Sequence, residues 1–358
     1  MSGPSLRRDL VTGRYVLVAP DRRGSPRDFG VSAVVRDAST CPFCPGREED
    51  TATTLAARFD ADGAWCARAF ANRFPMVRRD ATHETASHEV APVVASVGAH
   101  EVVVETPVHG VDLADLDDAH GASVFDLYRE RLAAMAAEPH ARAALMFKNR
   151  GPRSGASLHH AHGQVLLPPV VPPAVARRDR VSARHHARHG KGSLGDARDR
   201  ELDADVRVVE RTERFVAYCP FAPHRSFETW IVPRFPSPAF EALDADAIGA
   251  FASLLLRTLR RVLRATGGSD YNLSLRAPAL RHRGAPWALW HLEILPRRGG
   301  DAGFELTSGM QCVLTPPEES AAVLRDLSPT PNGCTVPPAG GSVAPCSREA
   351  TEPPRPMT

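Results

Sequence analysis

Apolar residues recur along this chain with two different periods. Val124, Tyr128, Leu132 and Met135 fall at helical spacing and Pro139 follows them, so the pattern predicts a helix over 115–138. Ile248, Phe251, Leu255, Leu259 and Val262 repeat that pattern and predict a second helix over 245–265, with Gly267 as its stop. Short apolar runs of strand type surround them: 15–19 behind a Thr12-Gly13 turn, then 101–105, 227–233, 271–275 and 290–294. In order these read strand, helix, strand, loop, strand, twice, roughly 130 residues apart. The expected fold class is α+β, two related modules that each pack helices on a mainly antiparallel sheet. Thr315-Pro316-Pro317-Glu318 reads as a capping box opening a short helix to about Asp326.

Two stretches lack apolar periodicity. Residues 177–204 are polar and rich in arginine, with His185, His186 and His189 beside Gly190, Gly192 and Gly195, and read as a solvated linker rather than a metal site. Residues 328–358 are rich in Pro, Gly, Ser and Thr and cannot bury enough surface to offset ordering entropy, so a disordered tail is expected. The domain organisation is therefore an N-terminal catalytic module over 1–176, a second module over 177–327, and the tail.

Core patterning fails most informatively at His160-Ala161-His162-Gly163-Gln164. On a strand, alternation puts His160, His162 and Gln164 on one face, just before the apolar run Val165-Leu166-Leu167. A neutral imidazole is a competent nucleophile toward phosphorus, and the resulting P–N bond is reactive enough to be attacked again. A glutamine two residues on can donate to phosphoryl oxygens without adding charge. Upstream, Asn149, Gly151, Gly155 and Ser157 form a small-residue loop that can bring backbone N–H groups close to a phosphate. Taken alone, the motif fits a metal-binding strand or a satisfied surface equally well.

Cys41-Pro42-Phe43-Cys44-Pro45-Gly46 is a knuckle whose two thiolates can face one ion. Two further ligands must come from elsewhere, and His109 and His160 are the candidates for a Cys2His2 zinc site. The redox use of CxxC needs a thioredoxin-like context that is absent here.

Composition changes the picture little. The 358 residues carry a net charge of +2 with 24% charged side chains, so no global field points to nucleic acid or membrane. Lys148 and Lys191 are the only lysines among 44 basic residues, so scattered arginines carry little functional information. Seven cysteines at irregular spacing argue against a disulfide framework. With no apolar run long enough to span a bilayer and no signal-peptide pattern, a cytoplasmic protein is expected.

The segment GASLHHAHGQ followed by LPPVVPP resembles the active-site segment of galactose-1-phosphate uridylyltransferases, a branch of the histidine-triad superfamily. TGRYVLVAPDR, CPFCPG, ANRFP, EVVVETPVHG, FKNRG, FETWIVP and the GFE segment at Gly303 extend the resemblance over nearly the whole chain before its tail. It implies UDP-glucose and galactose 1-phosphate as substrates, exchanged through a uridylyl group on His162. Gln164 and Ser157 would stabilise phosphoryl charge, Asn149 and Gly151 would shape the loop, and Arg22 would hold the phosphates. Asn72 would lie near the ribose and base, and Gln311 would contact the sugar. Zinc on Cys41, Cys44, His109 and His160, and a homodimer with shared sites, are implied as well. LPPVVPP and WHLEILPRRGGDAGFE resemble the ADP-glucose phosphorylase branch as much, which makes adenylyl transfer the alternative. A nucleotide-hydrolysing histidine-triad protein is disfavoured by Gln164, where such proteins carry histidine. A non-catalytic zinc module would leave the Asn149–Gln164 constellation unexplained. His282, His291 and Glu293 stay open between a second metal site and a hydrogen-bonded core or sugar contact.

Overall fold

The computed structural model describes residues 5–18, 38–79, 85–86, 93–94, 96–297 and 301–330. A short hairpin comes first, β1 (Ser5–Arg8) and β2 (Tyr15–Val18), turning at Gly13 with φ +71°. Strands β3 (Thr54–Phe59), β4 (Trp65–Ala71), the small β5 (Thr85–Ala86) and β6 (Val93–Val94), and β7 (Ala99–Val104) precede helix α1 (Asp118–Ala136). After it come β8 (Leu145–Arg150), β9 (His162–Leu167), α2 (Pro173–His189) and α3 (Ser193–Ala204). The second half runs β10 (Val208–Arg211), β11 (Phe215–Tyr218), β12 (Thr229–Pro233), α4 (Ala245–Ala265), β13 (Asp270–Arg276) and β14 (His291–Arg297). It closes with α5 (Gly303–Ser308), β15 (Gln311–Val313) and α6 (Pro317–Asp326).

Ten of these strands form one sheet in the order β10-β11-β12-β14-β13-β8-β9-β7-β4-β3. Every neighbouring pair in it is antiparallel. The order is symmetric about the β13–β8 contact, where Leu273 faces Lys148 across the ladder. Each half runs outward through a βαβ-loop-β unit to a hairpin, β7-α1-β8-β9 with β3–β4, and β12-α4-β13-β14 with β10–β11. The repeat read from periodicity is thus two modules joined edge to edge, which also removes one exposed edge from each. A smaller sheet, β1-β2-β15, pairs β15 with β2 in parallel.

Helices α1 and α4 lie side by side on one face of the large sheet and close its main core. Their approach needs Gly121, since a Cβ there would stand 2.7 Å from Leu256 Cδ1. Phe251 anchors the centre, with ring centroids 5.2 Å from Phe125, 5.2 Å from Phe240 and 5.5 Å from Trp290. Burying each such ring contributes roughly 1.5–3 kcal/mol relative to exposure. Helix α1 starts three residues after the expected 115, because Asp112 and Asp115 close a 3-10 turn first and Asp117 then caps the helix by accepting from His120 N at 2.8 Å.

Residues 177–204 are helical, not a linker. Val175, Asp179 and Ser182 form the buried face of α2, too polar to register as an apolar stripe. Across the turn His185 Nε2 lies 2.9 Å from Asp196 Oδ2, and Lys191 Nζ is 3.1 Å from Asp199. The glycines that suggested flexibility have fixed duties. Gly190 ends α2 at φ +71°, and a Cβ on Gly192 would stand 2.6 Å from the Trp287 carbonyl oxygen. Position 177 accordingly falls inside a helix.

The capping box at Thr315 does not form either. Pro316 occupies the cap position, and Glu318 turns to Arg7 and Arg207, each with an N···O distance of 2.9 Å, tying β1 to the second module. Residues 331–358 and the adjoining expectation of disorder lie outside the described residues.

Candidate active site

The site forms on the sheet face away from α1 and α4, where β7 and β9 pair with Val102 opposite Gln164 and Val104 opposite His162. The CxxC knuckle folds over this face. Phe43 packs on Phe70, Val102 and Val104, and its ring centroid is 5.2 Å from that of His162. The loop before β9 brings His160 to the knuckle and His162 to the start of the strand. His160 therefore precedes the strand, and its ring serves a different partner from those of His162 and Gln164.

His162 is 7% exposed, and its Nδ1 lies 2.7 Å from the His160 carbonyl oxygen. That bond fixes the tautomer with the proton on Nδ1, leaving the Nε2 lone pair for attack. Burial pushes the imidazolium down to about 4, with Lys148 and His160 adding to the effect, so the ring is neutral near pH 7. Lys148 is itself buried and paired with Glu105 at 2.6 Å, while Tyr128 donates to the other Glu105 oxygen at 2.9 Å. Gly163 lets this triad sit directly beneath β9, since a Cβ there would stand 2.0 Å from the Tyr128 hydroxyl.

Gln164 is oriented by a residue that the motif did not reveal. Met76 N–H donates to His100 Nδ1 at 3.1 Å, so the His100 proton sits on Nε2 and is donated to Gln164 Oε1 at 2.7 Å. The Gln164 amide NH2 is left available for a ligand oxygen. Burial lowers the His100 imidazolium, keeping the ring in this neutral form. Asn72 stands beside His100 with Nδ2 3.5 Å from the accepting Nδ1, and holds its own loop by accepting from Phe74 N at 2.9 Å. The available signal was a histidine one residue ahead of the expected strand 101–105, on the same alternation as Val102 and Val104.

The small-residue loop is equally tied down. Asn272 Nδ2 donates to Asn149 Oδ1 at 2.7 Å and to the Ser154 carbonyl at 3.0 Å. Gly151 has φ +82°, and a Cβ would stand 1.9 Å from Asp270 Oδ1, so only glycine fits. Asn149, Gly151 and His160 line one cleft together with Asp112, Lys148 and Arg150. Ser157 is exposed on the same loop. Gln311 is not gathered with these residues: it lies on β15 in the small sheet, accepting from Arg225. Arg22 lies outside the described residues.

Cys41, Cys44, His109 and His160 converge, with one ligand atom from each lying within 4.8 Å of all the others. His160 Nδ1 is 3.6 Å from both sulfurs, and His109 Nδ1 is 3.5 Å from Cys44 Sγ. A tetrahedral zinc with two sulfurs and two nitrogens sets N···S edges of about 3.6 Å, so the spacing fits that metal. His160 Nε2 donates to the Thr106 carbonyl at 2.7 Å, which leaves Nδ1 as the ligating atom. Among the described residues this is the one group able to hold a metal ion. In the second module His282 turns to Asp179 at 2.8 Å and Glu293 to Arg276 at 2.6 Å, so no second metal group forms there.

The fold and site define a histidine-triad nucleotidyltransferase. Residues 3–172 match the family model described as galactose-1-phosphate uridyl transferase, N-terminal domain. ADP-glucose phosphorylase of Arabidopsis thaliana is 32% identical over 91% of this chain and 94% of its own length. Its crystal structure with bound ADP-glucose superposes with a TM-score of 0.79 at 30% identity, covering 92% of this chain and all of that one. Galactose-1-phosphate uridylyltransferase of Streptomyces lividans is 30% identical over 65% of this chain and 59% of its own length. The chain belongs to the galactose-1-phosphate uridylyltransferase family and is a nucleotidyl-transferring enzyme with features of its ADP-glucose phosphorylase-like branch. No helix among the described residues is long and apolar enough to cross a membrane.

Proposed function

We propose that this enzyme moves a nucleotidyl group from a nucleoside-diphosphate sugar through a covalent bond to His162 Nε2. In the first displacement Nε2 attacks the α-phosphorus, the bridging P–O bond breaks and the sugar 1-phosphate leaves. In the second an acceptor oxyanion attacks the same phosphorus and the P–N bond breaks. Nδ1–H donation to the His160 carbonyl supports the imidazole as positive charge develops, and the Gln164 amide meets the phosphoryl oxygens. Asn149, Gly151 and Ser157 form the phosphate loop, Asn72 the nucleoside loop, and Arg22 and Gln311 are further substrate contacts. Cys41, Cys44, His109 and His160 would hold a zinc ion, which would fix the loop that carries the nucleophile. The buried His162, anchored through Nδ1 to the His160 carbonyl so that Nε2 is left for attack, is the observation that carries this reading.

ADP-glucose is the preferred donor, with phosphate as acceptor, because the phosphorylase likeness spans nearly the whole chain. Uridylyl exchange between UDP-glucose and galactose 1-phosphate is the second reading, favoured by the family model over the catalytic half. The active unit is a homodimer in the cytoplasm, where Cys41 and Cys44 stay reduced for metal binding. Incubating the protein separately with ADP-glucose and UDP-glucose, each labelled in the nucleotide, tests this. One donor leaves acid-labile label on the protein, which phosphate or galactose 1-phosphate then discharges. Absence of protein-bound label with both donors overturns the covalent mechanism.

A further inference from the structure

The strand that carries the nucleophile is backed, on its α1 side, by a charged pair that the proposed chemistry does not use. Lys148 on β8 stands opposite Gly163 on β9 and is 1% exposed, and Glu105, the residue after β7, is fully buried. Lys148 Nζ lies 2.6 Å from Glu105 Oε2, and Tyr128 on α1 donates to Glu105 Oε1 at 2.9 Å. Both carboxylate oxygens are therefore held, one from β8 and one from α1. Asp112 Oδ1 stands 3.7 Å from the same ammonium and accepts from Tyr271 of the second module at 2.9 Å.

Stability alone is a weak reason for such a pair. Replacing a buried ion pair by uncharged side chains of similar size often leaves a protein as stable, because desolvating both ions offsets their attraction. Lys148 is also one of only two lysines among 44 basic residues, so its use here departs from the habit of the chain.

What the pair holds is the backbone that aims His162. Glu105 N–H donates to the Ala161 carbonyl at 3.0 Å, and the Thr106 carbonyl accepts from His160 Nε2 at 2.7 Å. Residues 105 and 106 thus grip His160 and Ala161. The His160 carbonyl between those two contacts is the acceptor for His162 Nδ1, at 2.7 Å. On the other side of His162, the Tyr128 hydroxyl fills the space a Cβ on Gly163 would need.

We propose that Lys148 and Glu105 are positioning residues for nucleotidyl transfer. Their ion pair fixes the end of β7, which fixes the His160 carbonyl and with it the tautomer and direction of the His162 ring. The proposal rests on the reading of His162 as nucleophile and adds the parts that aim it.

Selective ¹⁵N labelling of histidine in the full chain reports the His162 ring directly, its signal identified by loss in His162→Gln. The expected wild-type signal near pH 7 is a single tautomer protonated on Nδ1. The double variant Lys148→Met/Glu105→Gln keeps an acceptor for Tyr128. In it the signal is expected to become a mixture of tautomers, while kcat for transfer falls at least about tenfold and KM stays within about threefold. Tyr128→Phe removes only the hydroxyl, is expected to move both readouts less in the same direction, and keeps the test valid where the double variant misfolds. Either variant, folded and retaining the single tautomer and wild-type kcat even with a lower melting temperature, assigns the pair to stability and overturns the proposal. A wild type that takes no nucleotide label from ADP-glucose or UDP-glucose fails the transfer reading instead, and the tautomer signal still decides whether the pair orients His162.

Discussion

The backbone carbonyl of His160 accepts the Nδ1 proton of His162 at 2.7 Å, while the His160 ring turns its own Nδ1 to Cys41 and Cys44, 3.6 Å from each sulfur. One residue therefore links the metal-type cluster to the nucleophile: its ring is fixed by the knuckle and its backbone fixes the His162 tautomer.

His162→Ala removes the attacking atom and is expected to abolish both half-reactions, a loss of at least about 10⁴-fold. His162→Gly leaves a cavity beside Phe43, and added imidazole is expected to restore part of the activity. Turnover by the alanine variant at more than a few per cent of wild type excludes His162 as the nucleophile.

Metal analysis of the purified protein is expected to return about one equivalent of zinc per chain from the Cys2His2 group. Cys41→Ser should lose that zinc and lower the melting temperature, because metal binding energy is partly folding energy. Activity should fall with it, since the His160 loop loses its anchor. A metal-free native protein whose melting temperature does not respond to chelator contradicts this assignment.

Gln164 has no proton to exchange near neutral pH, so it cannot activate water against the nucleotidyl-imidazole. With nucleotide sugar alone, the wild type is expected to accumulate covalent intermediate and hydrolyse it slowly. Gln164→His should shift the balance toward release of nucleoside monophosphate. His100→Ala frees the Gln164 amide to rotate, and is expected to lower transfer by roughly 10–100-fold, as removal of an orienting partner does. Monophosphate release by the wild type that is as fast without acceptor as with it points to a hydrolase instead.

Burial works against the Glu318 carboxylate, yet hydrogen bonds from Arg7 and Arg207 hold it below its ordinary range. A depressed carboxyl contributes stability that is present above its unfolded value near pH 4.3 and is lost as pH falls through the folded one. Glu318→Gln is therefore expected to melt lower than wild type at pH 7, with the gap narrowing below about pH 4. A gap that persists unchanged into acid assigns the loss to packing rather than charge.

Local chemistry made much of this protein readable from its sequence. The span of α4 was visible because its apolar face repeats from Ala247 to Leu263 between Asp244, which caps it through Ala247 N, and the glycines at 267 and 268. The repeat was visible because each module needs the same alternation of strand and helix. The knuckle and His162 were visible because few residue types can hold a soft cation or attack phosphorus. Helices α2 and α3 were not, since their buried positions mix apolar Val175 and Leu194 with polar Asp179, Ser182, Ser193 and Glu201, which leaves no apolar period. Only the tertiary structure joined the two modules through β8 and β13 and placed His100 against Gln164, 64 residues away in the chain. Such contacts depend on strand register between distant segments, and a linear pattern carries the period of a strand but not the identity of its neighbour.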